Sequence, residues 1–163
     1  MMPIRMLRAG GTFVAMAAVW LLGAALHPAF AEERSAASIP AASLIQPADL
    51  ASLLKNASSE QPLVLQVGFR KLYDQAHVPG SEYAGPANTP AGLKVLRDRV
   101  ARLRTDAALV IYCGCCPWSR CPNIAAAFDT LHELGFTKVK VMYVADNFGT
   151  DWVEKGYPIA KDP

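Results

Sequence analysis

Tyr112-Cys113-Gly114-Cys115-Cys116-Pro117-Trp118-Ser119-Arg120-Cys121-Pro122-Asn123 holds all four cysteines of a 163-residue chain within nine positions. It follows the apolar run Leu109-Val110-Ile111-Tyr112, whose length and β-branched content predict a buried strand. It precedes a helical pattern opened by Pro122, a residue favoured in a first helical turn because the N–H it lacks would have had no intrahelical partner there. Cys113 is therefore expected at the end of a strand, facing a turn and a helix N-terminus that carry partial positive charge. Such a site favours the thiolate, which is the nucleophilic form of the sulfur.

Outward from this stretch the pattern alternates. Upstream, Gln46-Pro47-Ala48-Asp49 opens a short helix with Leu50, Leu53 and Leu54 on one face. Leu63-Val64-Leu65-Gln66-Val67 reads as a buried strand of the parallel kind. A turn-rich passage containing His77-Val78-Pro79-Gly80-Ser81 and Gly85-Pro86 follows. Leu93, Leu96, Val100 and Leu103 then form the apolar stripe of a helix whose other face carries Lys94, Arg97, Asp98, Arg99, Arg102 and Arg104, a solvated surface. Downstream, a helix is expected over residues 122–134, stopped by Gly135 in the left-handed conformation of a C-terminal cap. Val139, Val141 and Tyr143 alternate in a last strand. Strand, helix, strand, helix, strand predicts an α/β domain with a mostly parallel sheet. In such sheets ligands bind beyond the carboxyl ends of the strands, which is where Cys113 falls.

The first 31 residues have a different composition. Arg5 and Arg8, the 14-residue apolar run 13–26 and Ala29-Phe30-Ala31 have the order of a cleaved secretory signal, and the run is shorter than the roughly 20 residues a spanning helix needs. Residues 32–45, rich in Ala, Ser and Pro, are expected to be a flexible lead-in, and residues 46–163 the domain. Removing 1–31 takes away two of 16 Lys+Arg and none of 14 Asp+Glu, so the remainder is neutral. No basic face is left to suggest nucleic acid, and no membrane association is expected after signal cleavage. A periplasmic or secreted location follows as an expectation. An oxidising compartment favours disulfides, yet loops this short constrain the unfolded chain far less than bridges between distant segments. The cluster therefore looks chemical rather than structural.

Across residues 63–158 the chain resembles the rhodanese-like family in its single-domain form. The matching pieces are the strand ending in Tyr112-Cys113, the loop from Cys113 to Trp118 followed by Ser119, the His77-Val78-Pro79-Gly80-Ser81 segment, Gly135-Phe136, and Trp152 with Gly156-Tyr157-Pro158. The resemblance implies a three-layer domain with a mostly parallel central sheet flanked by helices. It implies a sulfurtransferase in which Cys113 takes sulfane sulfur from a small donor, holds it as a persulfide and yields it to an acceptor thiol, free or protein-borne. It gives the loop backbone of Gly114, Cys115, Cys116, Pro117, Trp118 and Ser119 the role of an anion cradle, and makes His77 part of a structural turn. Two departures stand out. Trp118 occupies a position where the family often carries arginine, and Gln66-Val67-Gly68 replaces its Asp-x-Arg, with Arg70 displaced. Arg70 and Arg120 are the candidate substitutes for substrate contact. Without fixed guanidinium groups a compact dianion such as thiosulfate is expected to bind weakly.

Cys116 stands in C-x-x-C spacing to Cys113 and is expected as the resolving thiol ahead of Cys115, with Cys121 auxiliary. A thiol-disulfide oxidoreductase using Cys113 and Cys116 is the alternative within enzymology. A non-catalytic module binding a soft metal or a partner protein is the alternative outside it. The intervals C-x-C-C-x4-C differ from the paired C-x2-C knuckles of common zinc sites, so no metal and no cofactor is assigned. The leader reading makes a direct prediction. N-terminal sequencing of the exported protein should begin at Glu32, and retention of Met1 or Met2 would mean an anchored species.

Overall fold

The computed structural model describes residues 36–56 and 61–162. The leader expected over 1–31 and the first four residues of the lead-in lie outside the described residues. Five strands form one sheet in the order β1-β5-β4-β2-β3, every pair parallel. They are β1 (Leu44–Ile45), β2 (Leu63–Gln66), β3 (Glu82–Tyr83), β4 (Leu109–Tyr112) and β5 (Val139–Met142). The helices are α1 (Pro47–Lys55), α2 (Arg70–Gln75), α3 (Pro90–Val100) and α4 (Pro122–Glu133). Among the described residues no helix is long and apolar enough to cross a membrane.

β4 lies between β2 and β5 and all four of its residues are buried, as its unbroken apolar run requires when both faces of a sheet are covered. Period-two alternation then sorts its side chains. Leu109, Ile111 and Cys113 join the core formed with Leu96 and Val100 of α3 and Ile124 and Leu131 of α4. Val110 and Tyr112 join the opposite core, with Leu50 of α1, Met142 and Trp152. The result is the three-layer α/β architecture expected.

The lead-in is a correction. Within it, Ala36–Ser38 and Ala41–Ser43 are 3-10 turns, and Leu44–Ile45 pairs with Val141 and Met142 of β5. Ala36 and Ile39 are buried in the α3/α4 core. Small residues without a period gave no sign of this, because what orders them is a surface supplied by distant segments. β3 and α2 are likewise additions, too short to carry a periodic signal. The expected helix stop holds: Gly135 has φ 87°, and its N–H donates to the His132 carbonyl at 2.9 Å.

The turn segment is fastened to β4 through one side chain. The Val78 N–H donates to the Tyr112 hydroxyl at 3.1 Å, and Ser81 Oγ lies 3.3 Å from the same oxygen. Burial pushes that phenol upward, so it stays a neutral hydrogen-bonding group. His77 is structural. Its ring stacks on Tyr73 with centroids 3.9 Å apart, its Nδ1 lies 2.8 Å from the Tyr73 carbonyl, and its backbone bridges Ala160.

α3 begins with Thr89, whose hydroxyl accepts the Gly92 N–H at 3.0 Å. Gly92 is needed for a second reason: a Cβ there would lie 2.0 Å from the Pro86 carbonyl oxygen. Gly92→Ala gains about 1 kcal/mol of helix propensity but meets a backbone atom that cannot step aside, at a typical overpacking cost of about 1–3 kcal/mol or more. The clash should win. Urea unfolding of Gly92→Ala is expected to show a lower midpoint than the wild type.

Candidate functional site

Cys113 leaves β4 at the carboxyl edge of the sheet, and the chain then turns without regular structure until the 3-10 turn Trp118–Arg120. Two contacts tie this loop to the segment after β5. The Trp118 N–H donates to the Ala145 carbonyl at 3.0 Å, and the Phe148 N–H to the Gly114 carbonyl at 3.3 Å. Gly114 permits the second. A Cβ on it would lie 2.5 Å from the Phe148 Cβ. On the other side, Gly68 lets the β2 loop approach the sulfur, since a Cβ there would lie 2.9 Å from Cys113 Sγ. A side chain at position 68, where the resemblance expects arginine, would thus meet both Cys113 Sγ and the Gln66 amide, each 2.9 Å from its Cβ.

The four sulfurs converge. All Sγ atoms lie within 4.8 Å of one another, with Cys113 and Cys121 buried and Cys115 and Cys116 half-buried. Cys113 Sγ is 3.1 Å from Cys115 Sγ, which is 3.2 Å from Cys116 Sγ. Of the two thiols considered for a resolving role, Cys115 is the one whose sulfur contacts Cys113 directly. C-x-x-C spacing brings two side chains together when the intervening chain is helical, but residues 113–117 are not, so Cys115 rather than Cys116 stands against Cys113.

Asn123 completes the cluster, and sequence reading gave it no role. It is 1% exposed, in the first turn of α4. Its Oδ1 accepts the Asn88 N–H at 3.0 Å, which fixes the amide so that Nδ2 points to Cys113 Sγ at 3.5 Å and Cys115 Sγ at 3.6 Å. The signal available was an amide directly after the helix-opening Pro122.

Ionisation is shared unequally. Hydrogen bonds from Cys113 and then Cys121 hold the Cys115 thiol well below its usual range. Cys113 is pushed up, chiefly because its proton is shared with Cys115, then by Cys121 and by burial. Burial, followed by its bond to Cys115, pushes Cys116 up as well. A thiolate in this group rests on the half-buried Cys115, with its neighbours as donors.

The candidate cations are elsewhere. Arg70 pairs with Asp74 at 2.7 Å and Asp162 at 3.4 Å and lies over the rings of both Tyr73 and Tyr83; its charge is already engaged. Arg120 is exposed. Trp118 packs against Tyr143, centroids 5.1 Å apart. Of the six residues expected as an anion cradle, Pro117 has no N–H and Trp118 directs its own to Ala145. A cavity of about 250 Å³ opens beside the loop, lined by Gln66, Tyr112, Gly114, Asn147 and Phe148. Tyr112, on the face of β4 opposite Cys113, forms part of its wall, as does Gly114 of the cysteine loop. Asp151 and Trp152 build the neighbouring segment: Asp151 accepts the N–H groups of Asp146 and Asn147, and Trp152 Nε1 donates to the Pro158 carbonyl at 2.7 Å.

Gly114→Ala tests how tightly this loop is set. Overpacking against Phe148 should cost about 1–3 kcal/mol and displace the loop. Denaturant unfolding should show the loss, and labelling with a thiol reagent should become faster than in the wild type as the sulfurs are exposed.

No protein-family model matches the sequence, and neither does any curated protein compared with it. Solved structures do match. The rhodanese-like domain of the Anabaena sp. Alr3790 protein superposes with a TM-score of 0.56 at 18% identity, over 73% of this chain and 79% of that one. The BH2092 protein of Bacillus halodurans gives 0.55 at 20% identity, over 72% and 75%. The Saccharomyces cerevisiae single-domain sulfurtransferase RDL2 gives 0.52 at 14%, over 69% and 89%. With the parallel five-stranded sheet and the cysteine loop at its carboxyl edge, these likenesses show that the chain has the rhodanese-like fold.

Proposed function

We propose that the protein is an exported sulfurtransferase in which Cys113 carries sulfane sulfur as a persulfide. The observation that carries this reading is the position of Cys113 Sγ, at the end of the central strand with Cys115 Sγ 3.1 Å away and the Asn123 amide 3.5 Å away. Export rests on the order of Arg5, Arg8, the apolar run and Ala29-Phe30-Ala31.

In the first half-reaction Cys113 passes its proton to the Cys115 sulfur 3.1 Å away and, as thiolate, attacks the outer sulfur of a donor R–S–S⁻. The donor S–S bond breaks, RS⁻ leaves with the electron pair and takes up a proton, and Cys113–S–S⁻ remains. In the second, an acceptor thiolate attacks the outer sulfur of that persulfide and Cys113 leaves as thiolate. Cys115 is the internal acceptor nearest to hand. Passing the outer sulfur to it moves the cargo from a residue 2% exposed to a half-buried one, where a free or protein-borne thiol can meet it. Since Arg70 is paired and Trp118 is packed against Tyr143, organic persulfides and polysulfides suit the site better than thiosulfate.

The Cys113 to Cys115 distance also favours a second reading, a thiol-disulfide oxidoreductase that closes a bridge between these two residues. Intact-mass spectrometry of the reduced protein after treatment with glutathione persulfide separates the two. A gain of about 32 Da marks persulfide and a loss of about 2 Da marks a disulfide. Wild type should gain the adduct and Cys113→Ser should not, because a hydroxyl cannot carry sulfane sulfur. An adduct formed by Cys113→Ser at the wild-type rate would transfer the carrier role to Cys115.

A further inference from the structure

The two half-reactions need one sulfur and a partner, and the cluster contains four. Cys121, at the start of α4, and Cys116, at the mouth, are not required for transfer through Cys113 and Cys115, yet both point their sulfurs to the same centre. The set is drawn from the end of β4, the loop and the α4 N-terminus. A fixed amide donates to two of its members, in the way outer partners orient and stabilise metal-bound thiolates.

We propose that the four cysteines form a binding site for a soft monovalent d10 ion, Cu(I). Sulfur-only ligation selects soft ions. Between Cu(I) and Zn²⁺ the geometry decides. A tetrahedral zinc site with bonds of about 2.3 Å spaces its sulfurs about 3.8 Å apart, and the adjacent Cys115 and Cys116 sulfurs at 3.2 Å resist that spread. Cu(I) accepts two or three thiolates in a line or a plane, so the ion takes Cys113 and Cys121 at the base and Cys116 at the mouth, with Cys115 closing the site beside them, and does not ask the close Cys115–Cys116 pair to spread. Binding displaces one proton from each ligating thiol and involves no change of oxidation state, because the ion arrives as Cu(I).

The test uses the reduced protein under anaerobic conditions with Cu(I) supplied as its coloured bicinchoninate complex, and no sulfur donor present, so that the result is independent of the transferase reading. One equivalent of protein should bleach one equivalent of the complex, native mass spectra should show one copper per chain, and a sulfur-to-copper charge-transfer band should appear in the ultraviolet. Cys121→Ser and Cys116→Ser should each weaken binding by at least about tenfold, the lower end of what loss of even an outer partner costs. Circular dichroism checks that both variants fold, and Cys116, being half-buried, keeps the test open if Cys121→Ser does not. Failure to withdraw Cu(I), unchanged affinity in Cys116→Ser, or displacement of the bound copper by equimolar Zn²⁺ would overturn the proposal.

Discussion

Phe148 fills the space that a side chain at position 114 would need, and its N–H reaches the Gly114 carbonyl. This contact sets the path of the chain as it leaves β4. With Gly114 held there, Cys115 folds back onto Cys113 instead of continuing away from the sheet. The Trp118 N–H bond to Ala145 closes the far end of the same loop. Phe148 itself is fixed by stacking on Trp152 and by the Tyr112 ring, so the opposite core of the domain determines where the sulfurs sit.

The consequence for chemistry is that sulfur meets sulfur instead of guanidinium. Compact anions are held best by fixed positive charge, whereas here the Cys115 sulfur and the Asn123 amide contact Cys113, with the sulfurs of Cys116 and Cys121 within 4.8 Å. Such surroundings are polarisable and carry little charge of their own. They suit cargo that resembles the ligands: sulfur chains, thiols and soft ions.

Much of this was legible in the sequence because it depends on local pattern. β2, β4 and β5 are unbroken apolar or alternating runs, and α4 has its start written in Pro122 and its stop in Gly135. Placing Cys113 at a strand's end needed no more than that. What escaped reading depends on contacts between distant segments. β1 and β3 are two residues long, below the length at which alternation can be seen. Ala36 and Ile39 are buried although their surroundings have the composition of a linker. Arg70 is held by Asp74 four residues on, in a helix too short to announce itself in the sequence, and by Asp162, 92 positions away. That Cys115 contacts Cys113 directly depends on the irregular path of residues 113–117, which spacing alone does not give.

The strands that are hardest to see in the sequence are the two at the margins of the sheet. β1 and β3 border it on either side, each with only two residues in register with its inner neighbour. A sheet is extended by strangers along its margins, where unpaired N–H and C=O groups can template another chain. Margins this short leave little ladder to copy, while the four-residue strands β2, β4 and β5 lie inside the sheet. A chain with such hydrophobic central strands thus gains protection against joining its neighbours edge to edge when it is crowded.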